Sequence, residues 1–80
     1  MRIDDYLSTV GVIKRRTIAK KLADSKMIDV NGKSVKASYQ VKEKDIIQIK
    51  GTQGKSVEVL MLPTSSVPKT DRERYFKELN

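Results

Sequence analysis

The stretch KRRTIAKKLADSKMIDVNG, residues 14–32, contains the change of pattern that decides the fold class. From about residue 14 to residue 25, apolar residues recur at helical spacing, which predicts an amphipathic helix. The apolar side of this helix consists of Ile18, Ala19, Leu22 and Ala23. The period then changes to two at Ile28 and Val30, and Asn31-Gly32 favours the type I′ turn of a β-hairpin. A helix followed directly by a hairpin indicates an α+β fold.

The same part of the chain is strongly basic. The 80 residues carry a net charge of +7, and residues 14–36 alone account for +6, because they hold eight basic and two acidic residues. The basic residues are Lys14, Arg15, Arg16, Lys20, Lys21, Lys26, Lys33 and Lys36. A merely solvated helix usually carries compensating carboxylates at helical spacing. Their near absence favours a surface that binds a polyanion, either nucleic acid or an anionic membrane.

The apolar side of the basic helix helps to separate these two partners. Two of its four apolar residues are alanines, whereas helices that lie on a membrane carry bulky apolar side chains. Alanines suit close packing against another part of the protein, so the pattern favours nucleic acid over membrane.

A first helix precedes the basic one. Asp4 and Asp5 stand in its first turn, where carboxylates suit the helix dipole, and Gly11 favours the left-handed conformation that ends a helix. Its apolar stripe consists of Ile3, Tyr6, Leu7 and Val10. The sequence therefore predicts two short N-terminal helices.

Two more strands are predicted after the hairpin, over residues 45–50 and 56–62, joined by a glycine-rich turn over residues 51–55. Residues 63–68 form a connector. The expected architecture is α+β, with two helices packed on a small, mostly antiparallel sheet of about four strands.

A short C-terminal helix is predicted after the connector. Thr70 and Glu73 have the spacing of a capping box, and Tyr75, Phe76 and Leu79 provide an apolar side. Burying two of the chain's four aromatic residues favours docking of this helix on the sheet over binding to a partner. The predicted organisation is a nucleic-acid-binding domain over residues 1–62 with a connector and helical tail over residues 63–80.

The composition narrows the function. The chain has no Cys and no His, and so lacks thiolate and imidazole groups for zinc, a thiol nucleophile and a general base that titrates near neutrality. We expect a binding protein without metal or cofactor rather than an enzyme. No apolar run approaches the roughly 20 residues of a membrane span, and the charged N-terminus is unlike a signal peptide. A cytoplasmic protein is expected.

The order of these features resembles the RNA-binding domain family named after ribosomal small-subunit protein four, whose helices form the αL motif. The similarity is greatest to its stand-alone bacterial members, the ribosome-associated heat-shock proteins and ribosome-quality-control P-site factors. It is carried within residues 1–45 by Met1-Arg2-Ile3-Asp4, Lys14-Arg15-Arg16-Thr17, Val30-Asn31-Gly32 and Lys36-Ala37-Ser38.

The resemblance implies a monomer that binds large ribosomal subunits obstructed by peptidyl-tRNA, contacts both ribosomal RNA and tRNA, and stabilises the P-site tRNA in quality control of stalled translation. A tailing factor on the same subunit is a further implied partner. The resemblance places the main RNA contacts at Arg2 and Arg16, with support from Lys14, Arg15 and Lys36. We add Lys20 and Lys21 as candidate contacts from the basic helix face.

Some positions depart from the family or allow two interpretations. Asp5 stands where members commonly have a basic residue, and is expected to lower the potential beside Arg2. Lys26 and Lys44 replace glycines, which predicts altered turns or modest strain. On a helical wheel Arg15 falls within the apolar arc, so it either covers the core edge or binds RNA. Tyr39 either stacks on a base or folds over the hairpin.

Other functions stay open at this stage. The chain is alternatively a small factor in ribosome assembly or in general RNA binding. A translation enzyme with the same RNA-binding domain would need a further catalytic domain, so this chain would be a fragment of it. A third alternative is a basic domain that binds another protein through its C-terminal helix.

Overall fold

The computed structural model describes residues 1–51, 54–64 and 67–79, which form two helices and an antiparallel sheet with strand order β2-β1-β3-β4-β5. The elements are α1 (Ile3–Thr9), α2 (Arg16–Asp24), β1 (Ile28–Val30), β2 (Lys33–Ser34), β3 (Ile46–Ile49), β4 (Lys55–Val59), a 3₁₀-helix (Lys69–Arg74) and β5 (Phe76–Glu78). The predicted α+β class is confirmed, with five strands rather than about four. Within the described residues no helix has the length and apolar character needed to cross a membrane.

The predicted hairpin is confirmed. Asn31 and Gly32 have φ angles of 52° and 86°, and two positive φ values are what a type I′ turn requires. The turn is also tied to β3, because the Asn31 side chain accepts a hydrogen bond from the Ile46 N–H at 3.0 Å and donates one to Asp45 at 3.2 Å. The predicted turn over 51–55 and connector over 63–68 each contain two residues outside the described range.

One core lies between the helices and the sheet. The predicted stripe of α1 is entirely buried in it, and so are the alternating residues of β3 and β4. In α2 the prediction is only partly right, because Ala19 and Ala23 are buried whereas the Ile18 side chain is 46% exposed. The short alanine side chains, one turn apart, let α2 approach closely, and Ile18 lies to the side of that contact line.

The C-terminal segment differs from its predicted structure. Lys69–Arg74 is a 3₁₀-helix whose N-cap residue is Pro68. Thr70 therefore lies inside this helix, and the predicted capping box at Thr70 does not begin it. Phe76, predicted as helical, instead belongs to β5, which pairs with β4 in the register Val59↔Phe76. The free edge of β4 explains the change, because pairing satisfies its backbone groups.

The expectation that this segment docks on the sheet is confirmed. Tyr75 and Phe76 pack against the core. The hydroxyl of the fully buried Tyr6 donates a hydrogen bond of 2.7 Å to the Tyr75 carbonyl, which also accepts one of 2.9 Å from the Leu60 N–H. The C-terminal segment is therefore joined to both α1 and β4.

Two lysines occupy turn positions that favour glycine. Lys26 and Lys44 have φ angles of 61° and 73°, in the left-handed region. The backbone thus keeps the turn geometry, and the expected modest strain falls on these two residues.

We predict that Lys26→Gly raises the free energy of unfolding by about 0.5–1 kcal/mol, because glycine relieves the left-handed strain while losing part of that gain through its greater unfolded-state entropy. The matched control is Lys20→Gly in the middle of α2, which should lower the free energy by about 1 kcal/mol. Urea denaturation measures both, and a loss of stability in both variants would contradict the assignment of strain.

A second prediction concerns alkaline pH. Burial raises the pKa of Tyr6, so the neutral phenol contributes stability that is complete below the unfolded-state value near 10 and is lost as the pH rises above it. Tyr6→Phe should cost about 1 kcal/mol at pH 8 by removing the bond to Tyr75. Between pH 8 and pH 11 the difference in free energy of unfolding between the parent and Tyr6→Phe should narrow by about 1 kcal/mol. Urea denaturation at both pH values measures it, and an unchanged difference would contradict the prediction.

Candidate nucleic-acid interface

A buried carboxylate joins the two arginines that the sequence singles out. Asp4 is 1% exposed, and its two oxygens accept hydrogen bonds of 3.2 Å from Nε and Nη2 of Arg2. Nε of Arg16 donates to the same carboxylate at 3.4 Å. Asp4 thus holds two guanidinium groups from positions 14 residues apart in the chain.

Local structure explains why these side chains meet. Asp4 lies in the first turn of α1, and Arg16 is the first residue of α2. Arg2 precedes α1 and forms a β-bridge with Gln40, while the Ile3 N–H bonds the Tyr39 carbonyl at 2.8 Å. The starts of both helices and the loop after the hairpin therefore converge on one place.

The two arginines are held without being covered. The Arg2 side chain is 40% exposed and the Arg16 side chain is 49% exposed. An ion pair to a buried carboxylate restricts the orientation of a guanidinium, and a restricted side chain loses less entropy when it binds a phosphate or stacks on a base. The arrangement suits recognition of an anion by both arginines together.

The acidic neighbours behave differently from the sequence expectation. Arg2 pairs with Asp4, and Asp5 faces Arg16, with Oδ1 lying 3.4 Å from Nη1. Sequence reasoning assigned both aspartates to the helix dipole and missed the organising role of Asp4. The available signal was Asp4 two residues after Arg2, in a chain that has further arginines at Arg15 and Arg16. It did not indicate which carboxylate would be buried.

Lys14 and Arg15 lie before α2 rather than within it. Arg15 has extended backbone angles, φ −130° and ψ 139°, and its side chain is exposed. The helical wheel therefore does not apply to Arg15, and its exposure is compatible with the alternative in which it binds RNA. Together with Arg16 these residues form an exposed basic run at the start of α2.

The remaining candidates extend the basic surface. Lys20 and Lys21 are exposed on α2, and Lys36, in the loop after β2, lines a surface depression shared with Ala23 and Lys26. Among the residues that the structure describes, these lysines form no salt bridge. Neither do Lys14 and Arg15, so five of the seven candidate side chains carry charge without a carboxylate partner.

Tyr39 is folded inward. Its hydroxyl donates a hydrogen bond of 2.9 Å to Asp45, and the ring packs against the core. Burial, and next the hydrogen bond and charge of Asp45, raise the pKa of Tyr39. The ring therefore lies against the core, and the bond to Asp45 ties the loop that pairs with Arg2 to the residue before β3.

Comparison with known proteins assigns this architecture to a family. Residues 1–47 match the model of the S4 domain. The chain is 35% identical over 77 residues to the "RQC P-site tRNA stabilizing factor" of Helicobacter pylori strain J99, covering 94% of this chain and 92% of that protein. The chain belongs to the S4 domain family. The protein of the same name from Streptococcus pneumoniae is 42% identical over 67 residues, which cover 82% of this chain and 76% of that relative.

Solved structures agree on the fold of this S4 domain protein. Heat Shock Protein 15 of Vibrio cholerae, described as trimeric, superposes with a TM-score of 0.89 at 19% identity, over 99% of this chain and 81% of the other. The solution structure of hypothetical protein HP1423 gives a TM-score of 0.84 at 32% identity, and the match covers 100% of this chain and 98% of that protein. Strand β4, the 3₁₀-helix and β5 lie beyond the matched S4 region, yet both structures cover them.

We predict that Asp4→Asn lowers the free energy of unfolding by about 1–2 kcal/mol, since it removes the charge that both arginines share, discounted for their partial exposure. Asp5→Asn is the matched control, and should cost less than about 0.5 kcal/mol because its ion pair is exposed. Denaturation at pH 7 compares the two. Equal losses would show that Asp4 does not organise the cluster.

Proposed function

We propose that this protein binds large ribosomal subunits that carry peptidyl-tRNA, contacts both ribosomal RNA and tRNA, and stabilises the P-site tRNA in quality control of stalled translation. The observation that carries the proposal is the paired, half-exposed arginines on Asp4, adjoining unpaired basic residues. Relatives named "RQC P-site tRNA stabilizing factor" match over most of their length and support P-site tRNA as a target.

The roles of the side chains follow from their chemistry. Arg2 and Arg16 are the main RNA contacts, because each guanidinium fork grips phosphate oxygens and stacks on bases. Lys14 and Arg15 add contacts from the same run. Lys20, Lys21 and Lys36 supply positive charge along α2 and the hairpin side, which positions the RNA backbone without reading sequence.

The protein acts by binding and positioning, and the proposal requires no catalytic step, metal or cofactor. It works as a monomer in the cytoplasm on one subunit, where a tailing factor that extends the stalled chain is a further partner. Because the positive charge is concentrated on one region, the affinity should fall steeply with salt.

The first functional test is Arg16→Ala. It should weaken binding to purified large subunits carrying peptidyl-tRNA by roughly tenfold or more, the effect of losing one charge-assisted contact. The control Arg74→Ala removes an equal charge from an exposed residue of the 3₁₀-helix and should change affinity much less. Equal binding by the Arg16 variant and the parent would refute the site.

Copurification identifies the particle. A tagged copy isolated from cells should recover large subunits that carry peptidyl-tRNA. Recovery of precursor subunits without tRNA would replace the proposal with a role in assembly, and recovery of free RNA would indicate general RNA binding.

A further inference from the structure

A second basic site lies at the other end of α1. Gly11 follows this helix with φ 85°, and the C-terminal 3₁₀-helix packs beside it. A Cβ atom at position 11 would overlap the guanidinium of Arg72, with Cζ and Nε as its nearest atoms. The absence of a side chain at Gly11 therefore lets Arg72 lie directly against the backbone that ends α1.

Arg72 is partly buried at the C-terminal end of α1, where the partial negative charge of the helix end favours a cation. Its Nε is buried and has no hydrogen-bond partner among the described residues, and no carboxylate of that part of the chain pairs with its guanidinium. Burying an unpartnered N–H is unfavourable, and because Arg72 is only partly buried its other nitrogens can still reach an anion.

The surroundings form a receptive surface for such an anion. A depression of about 330 Å³ is lined by Arg72, Lys14, Ser8 and Gly11. Two of these residues are cations, a third has a hydroxyl group, and none is acidic. Lys14 also lacks a salt bridge within the described residues, so the depression concentrates positive charge.

We infer that this depression binds a backbone phosphodiester of the RNA, with Arg72 and Lys14 as its cationic partners. The inference rests on the proposed RNA-binding function, because Lys14 begins the basic run that continues to Arg16. It extends that function to a side chain beyond the S4 match, which ends at residue 47. The interface then includes the C-terminal segment as well as the two helices.

The test compares Arg72→Gln with Arg74→Gln. Both variants remove one positive charge from the same 3₁₀-helix, but Arg74 does not line the depression. Affinity for large subunits carrying peptidyl-tRNA is measured over a range of salt concentrations. Arg72→Gln should reduce the magnitude of the log–log salt slope by about 0.7–0.9, the value for one phosphate contact, and Arg74→Gln should leave it nearly unchanged.

A purely structural role gives a different result. If Arg72 only stabilises the end of α1, Arg72→Gln lowers the thermal midpoint of the free protein and leaves the salt slope at its parental value, which overturns the inference. Arg16→Ala is measured in parallel. Loss of binding in that variant with an unchanged slope for Arg72→Gln leaves the proposed function standing and refutes only this site, whereas absence of binding by the parent refutes both.

Crosslinking identifies the class of ligand. The chain contains no native cysteine, so Ser8→Cys, at a residue that lines the depression, accepts a single photoactivatable benzophenone there. Irradiation on the same subunits should yield crosslinks to RNA. Crosslinks to a ribosomal protein and none to RNA would show that a protein segment occupies the site, and would overturn the assignment to a phosphodiester.

Discussion

The buried carboxylate of Asp4 is the constraint on which the candidate RNA-binding surface depends. It lies in the first turn of α1 and holds one arginine from the segment before that helix and another from the start of α2. A buried charge needs close partners, and both guanidinium groups are therefore drawn to one place. This contact relates the two helices and the N-terminal segment, and it leaves the arginines half exposed toward solvent.

The C-terminal segment packs against the rest of the domain rather than extending from it. Strand β5 covers the edge of β4, and the bond from Tyr6 to the Tyr75 carbonyl connects this segment to the core side of α1. The same packing places Arg72 at Gly11. A segment outside the S4 match thus supports the S4 region and adds a basic side chain near its surface.

Patterns within short stretches were reliable predictors. The stripe of α1, the change of period after α2 and the Asn31-Gly32 turn all correspond to elements of the structure. These features depend on neighbouring residues alone. The errors occurred where a distant contact decides: the edge of β4 converts a predicted helix at Phe76 into a strand, and close packing through Ala19 leaves Ile18 outside the core.

The sequence by itself determined the α+β class and the basic character of residues 14–36, because periodicity, turn chemistry and charge are local properties, whereas Arg2 and Arg16 became candidates through the family resemblance. Only the tertiary structure decided that these two arginines share Asp4, and that Arg72 lies against Gly11. Such contacts join residues far apart in the chain. The first forms because the buried Asp4 carboxylate needs cationic partners, and the second because pairing of β5 with β4 brings the C-terminal segment beside α1.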